Sequence, residues 1–87
     1  MLRLVKTSDV SEEVEILVEG RVVSPWLELL EAECRRELGN ERQVTLDLSG
    51  LAYVGPTGIW LIRDLTCDGV KLIHVPGLID QMLGPCP

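Results

Sequence analysis

Phenylalanine is absent from this 87-residue chain, and its aromatic residues reduce to Trp26, Trp60 and Tyr53. Any core must therefore be aliphatic, and an apolar share of 46% supplies enough Leu, Val and Ile to fold one small domain spanning 1–87. Positive charge is scarce and scattered. Eight Lys and Arg stand against fourteen Asp and Glu, a formal charge of −6, and without clustered basic residues the chain has no footprint for nucleic acid. With a single histidine, His74, and no CxxC pair among Cys34, Cys67 and Cys86, a Cys/His zinc site is not expected on ligand spacing. The first ten residues hold no continuous apolar segment of the signal-peptide kind. No apolar run is long enough to cross a bilayer, so direct membrane insertion is not expected. Three cysteines, an odd number, suit free thiols in a reducing compartment, and the expected location is cytoplasmic.

Catalytic constellations are missing too. Asp47 stands at a strand end with no second carboxylate or histidine close in sequence, so acid–base chemistry has no visible partner and a turn-bonded carboxylate is the plainer reading. His74 falls in a strand-like stretch as an ordinary half-buried histidine. Cys67 ends a helix, a poor place to activate a thiol; Cys34 is a small core hydrophobe, and Cys86 is the exposed thiol of the tail. Gly55-Pro56-Thr57-Gly58 lacks the length and the lysine of a phosphate loop. No enzyme activity and no cofactor are expected.

What is present is an alternation of strands and helices. Leu2 to Lys6 reads as a first strand, and "SDVSEE" as a turn. In "EEVEILVEG", Val14, Ile16 and Val18 alternate with Glu13, Glu15 and Glu19, the period of a half-buried strand that Gly20 closes. "SPWLELLEAECRRELGN" carries helix signals: Ser24 as N-cap, Pro25 at the first helical position, an apolar stripe through Leu27, Leu30, Cys34 and Leu38, a Glu31–Arg35 pair, and Gly39-Asn40 as the stop. "QVTLDLSG" is the next strand, "LAYVGPTG" a loop and "TGIWLIRDLTC" a short second helix. "VKLIHV" gives a further strand, and "PGLIDQML" a last short helix. The order β, β, α, β, α, β, α implies an α/β domain: a mixed central sheet of about four strands with helices mainly on one face.

The stretches "LVEGRVVSPWLELLEAECRREL", "VTLDLSGLAYVGPTGIWLI" and "GVKLIHVPGLIDQML" together resemble a STAS domain, the domain of sulphate transporters and anti-sigma factor antagonists. The likeness spans Glu15 to Leu83 and is most specific at "DLSG", followed by a small-residue turn and an apolar helix. Antagonists of this family carry Asp-Ser-Ser-Gly or Asp-Ser-Thr-Gly at the turn, and a partner kinase phosphorylates the first hydroxyl. On this chain the aspartate position is Gly55, the acceptor position Pro56, the second hydroxyl Thr57 and the closing glycine Gly58. The frame is kept and the reactive pair is lost, since proline has no hydroxyl and no N–H. Thr57 is the hydroxyl left for a kinase, at a helix start whose partial positive charge suits a phosphate; its plainer role is capping or packing there. Ser49 is a second hydroxyl on this rim, with a turn role.

The resemblance implies a non-enzymatic protein–protein interaction module of the anti-sigma antagonist type. Its partner would be an anti-sigma factor or a kinase of the histidine-kinase-like ATPase fold, bound without phosphate gating. Trp60, one turn beyond Thr57, is the leading contact candidate, with Asp47 and Ser49 beside it; packing at the core edge is the alternative for both tryptophans. Family domains continue past the last helix of this chain, so a shortened edge or apolar patch would favour a homodimer or partner capture. Two other readings stay open: an accessory STAS-like subunit of a membrane transporter, and a small-ligand or nucleotide binder using the turn as its pocket floor.

Overall fold

The alternation along Glu13–Glu19 belongs to one strand of a four-stranded sheet in the computed structural model, which describes residues 2–83. The elements are β1 (Leu2–Asp9), β2 (Glu13–Val22), α1 (Leu27–Gly39), β3 (Gln43–Val54), α2 (Pro56–Cys67), β4 (Lys71–Ile73) and α3 (Gly77–Leu83). The sheet order is β1-β2-β3-β4. β1 and β2 pair antiparallel through a tight connection, while β2–β3 and β3–β4 are parallel and need α1 and α2 as crossovers. This is the mixed α/β architecture expected from the sequence.

Period-two alternation sets the layers. Val14, Ile16, Val18 and Val22 of β2 and Val44, Leu46 and Leu48 of β3 are buried on one face. Leu30 and Cys34 of α1, and Ile59, Ile62 and Leu65 of α2, close over that face. The opposite face carries Glu15, Leu17, Thr45 and Asp47, all partly exposed. Burial pushes the Cys34 thiol up to about 12, with Glu33 adding to the rise, so the sulfur is an inert core atom.

Four local readings are corrected. Helix α1 begins at Leu27, not in its Ser24-Pro25 flank: the Trp26 N–H donates to the Val23 carbonyl at 2.8 Å, which folds Ser24-Pro25 into a turn and makes Trp26 the N-cap. Leu51 to Val54, read as loop, extend β3, because Gly20, Arg21 and Val22 of β2 run alongside and pair with Leu51, Tyr53 and Val54. Helix α2 is not short; at 12 residues it nearly matches the 13 of α1. Cys67, read as a free thiol, is disulfide-bonded, so the cysteine count carries no argument for a reducing compartment. Cys86 lies outside the described residues.

One feature had no signal in the spacing. Glu37, on the apolar stripe of α1 one turn past Cys34, is 3% exposed yet charged. The Arg42 guanidinium reaches its carboxylate, and the same fork donates to Asp9 and to the Val10 carbonyl. Lys6 and Arg36 stand 3.7 Å from the other Glu37 oxygen. One arginine thereby ties the end of β1, the end of α1 and the entry to β3. Removing it leaves the buried carboxylate only the looser Lys6 and Arg36 contacts, a costlier change than losing a surface pair. Arg42→Ala is expected to lower the urea midpoint of unfolding more than Arg35→Ala, which removes only surface pairs. Glu37→Leu combined with Arg42→Met should recover most of that loss.

Candidate functional site

The turn Gly55-Pro56-Thr57-Gly58 lies where β3 ends and α2 begins. The Gly55 N–H donates to the Val22 carbonyl at 3.0 Å, holding the turn against the end of β2, and the Ile59 N–H returns to the Gly55 carbonyl at 3.0 Å to open the helix. Gly55 is the N-cap and provides no side-chain cap; Pro56 takes the first helical position, where a missing N–H costs nothing. Thr57 follows inside the helix and is exposed, so the capping reading of Thr57 is corrected: its hydroxyl closes no cap and faces solvent.

The two glycines differ in kind. A Cβ on Gly58 would lie 2.6 Å from the Val22 carbonyl oxygen and 2.9 Å from methyls of Val22 and Val54. Backbone cannot yield at that distance, so the first turn of α2 rests on β2 only because residue 58 has no side chain. Gly55 has φ −75° and ψ 170°, open to any residue, and its nearest obstacle is a Val23 methyl at 3.3 Å. Glycine at position 58 is a packing requirement; at position 55 the only close neighbour is a side-chain methyl.

Asp47 and Ser49 lie on the uncovered sheet face, whereas α2, with Trp60, belongs to the layer over the other face. The structure therefore does not bring these three candidates into one patch. It does bring His74 to Asp47. The parallel register sets Asp47 opposite Ile73, and the His74 Nδ1 lies 3.1 Å from Asp47 Oδ1. That oxygen also accepts the Ser49 N–H at 3.0 Å. Asp47 is thus turn-bonded as expected, with a histidine from 27 residues away that sequence distance concealed. His74 itself is exposed and has φ 53°, past the end of β4, not half-buried within a strand. Hydrogen bonding by the Ser49 N–H, against a smaller effect of burial and with help from His74, holds the Asp47 carboxyl below its ordinary value of 3.8.

Trp60 is 72% exposed, which excludes core-edge packing for that ring; it borders a shallow hollow with Arg63, Asp64 and Cys67. Trp26, at 37%, does sit at the edge. A second apolar surface went unread in the sequence. Leu51, Ala52, Tyr53 and Val54 of β3, Pro56 of the turn, and Pro76, Leu78, Ile79 and Met82 at α3 enclose a groove of about 370 Å³ without a charged side chain. No group of His, Cys, Asp or Glu among the described residues could hold a metal ion. No helix among them is long and apolar enough to cross a membrane.

No family model matches the chain, and no curated protein does. Among solved structures it is similar to the anti-sigma factor antagonist SpoIIAA in its unphosphorylated form, with a TM-score of 0.74 over 98% of this chain and 84% of that one at 15% identity. It is also similar to part of Mglu, with a TM-score of 0.60 over 86% of this chain and 19% of that one at 21% identity. At such identities the likeness is one of fold. The chain has a STAS-like fold, the one its sequence resembles, and it shares that fold along nearly its whole length with an anti-sigma factor antagonist.

Two outcomes follow from the turn. Gly58→Ala is expected to cost about 2 kcal/mol or more in chemical denaturation, whereas Gly55→Ala costs well under 1 kcal/mol. The depressed Asp47 carboxyl contributes stability that is present above its ordinary value of 3.8 and is lost as pH falls through its lower folded value. Asp47→Asn should therefore flatten the loss of stability below pH 3.8 in an acid titration followed by circular dichroism. Asp9, held low by Arg42, supplies the acid sensitivity that persists.

Proposed function

We propose that this protein is a non-enzymatic interaction module of the anti-sigma antagonist type, working in the cytoplasm, whose partner binding is not gated by phosphorylation. The partner class is an anti-sigma factor or a kinase of the histidine-kinase-like ATPase fold. One observation supports the reading: in a fold shared with an antagonist, packing requires Gly58 at the strand-to-helix turn, and Pro56, at the position the resemblance assigns to the acceptor, is exposed. A proline there offers no hydroxyl to a kinase, and Gly55 offers no carboxylate to orient one. The turn then acts as fixed shape. Beside it Trp60 presents a large exposed ring one helical turn on, the type of side chain that anchors interfaces.

The apolar groove beside the turn lends some weight to the accessory-subunit reading, because an apolar docking surface would also serve a transporter assembly. It gives none to a nucleotide, since no basic residue lines it.

A native pull-down with this protein as bait, run with and without ATP and followed by intact-mass measurement, tests the proposal. The expected result is an ATPase of the histidine-kinase-like fold captured equally in both conditions, with bait mass unchanged. Trp60→Ala should weaken capture by about 2 kcal/mol, roughly thirtyfold. A phosphate mapped to Thr57 would overturn the ungated binding, and recovery of transporter subunits in place of the ATPase would overturn the partner class.

A further inference from the structure

The sheet is unequal in length. β3 runs for 12 residues, but β4 has only 3 and pairs with Thr45, Leu46 and Asp47 alone. The cause lies at His74, whose φ of 53° turns the chain out of the extended conformation directly after Ile73. The His74–Asp47 contact holds that departure in place, and Pro76 then leads into α3. Beyond Asp47, on the β4 side, no strand among the described residues pairs with β3; the Ser49 N–H is taken by the Asp47 carboxylate, and Gly50 to Val54 present a bare main-chain edge about 17 Å long. The opposite edge is in use: Gly55 bonds to Val22 on the β2 side, which leaves Val54 facing outward by alternation.

Leu51 to Val54 of this edge line one side of the apolar groove, and Leu78, Ile79 and Met82 of α3 the other. Tyr53, Leu78 and Met82 are among the largest exposed apolar side chains of the molecule. We propose that the groove binds one extended segment of a partner protein, which adds to β3 as a strand where β4 stops short.

The main-chain edge selects this occupant. An apolar small molecule or a helix filling the cavity would leave the outward N–H and C=O groups of β3 without partners, whereas an extended chain satisfies them and places alternate side chains in the groove. Those inward side chains must be uncharged, because the lining holds no charge. The outward ones face an acidic molecule, with a formal charge of −6 and Asp80 exposed on α3 next to Ile79; basic residues there gain from complementarity. A second copy cannot bring its own β3 edge into the groove, since its α3 stands against that edge in the same way. The inference is independent of the partner class proposed above, because it concerns the chemistry of one segment and not the protein that carries it.

A display library of random octapeptides, panned on the full chain and counter-panned on Leu78→Arg, tests it. Leu78 is 72% exposed, so the variant keeps the fold, which circular dichroism verifies. The expected peptides alternate apolar with polar or basic residues. Synthetic copies should lose at least tenfold in affinity towards Leu78→Arg, and at least tenfold when alternate backbone nitrogens are methylated with side chains unchanged. Bound peptide should also slow hydrogen exchange at the Val54 amide. Peptides that tolerate N-methylation on every register, or a selection yielding none that distinguishes the variant, would overturn the proposal. So would a dimer in sedimentation equilibrium that Leu78→Arg dissociates, since a second copy would then fill the groove.

Discussion

The parallel pairing of β2 with β3 is the contact from which the rest of the molecule is built. It joins residues about thirty positions apart, so it forms only when α1 has crossed over the sheet, and its two alternating apolar rows create the face on which α1 and α2 pack. At its lower end, Arg42 ties β1, α1 and β3 together around the buried Glu37 carboxylate. At its upper end, Gly55 bonds to Val22 and Gly58 rests against the same residue. The signature turn is therefore positioned by the last residue of β2, across the sheet from its own strand.

That dependence explains which parts of the turn are constrained. The backbone of Val22 dictates the absence of a side chain at position 58, while positions 55 and 56 face outward or toward a yielding methyl. These are the two positions to which the proposed function assigns the regulatory chemistry of an antagonist. On the proposed function, this chain keeps the fold of an antagonist while its chemistry differs at Gly55 and Pro56, at little structural cost.

Much of this was legible in the residues. Glutamates alternating with Val14, Ile16 and Val18 marked a half-buried strand because period two has no other common cause, and Leu30 and Cys34 marked the buried face of α1. The misread features share a physical origin in tertiary partners. Leu51 to Val54 look like a loop until β2 is placed beside them, and His74 looks like a strand residue until its φ is known. Glu37 drew no reading because nothing in local spacing announces Arg42. The groove was invisible for the same reason: it depends on β4 ending early, which neither apolar periodicity nor turn chemistry in "KLIHVPG" reveals.

The bare edge of β3 bears on solubility as much as on binding. Unpaired strand edges are where sheets of separate molecules stick to one another, and soluble proteins blunt them with charges, bulges or covering elements. Here α3 stands alongside the edge like the far wall of a slot. On the proposed binding mode the slot takes a lone strand, whereas another sheet would bring its own flanking layer against the wall. The same helix that gives the groove its apolar side would then act as a gatekeeper against amyloid-like stacking, allowing the molecule to keep an open edge without the usual hazard.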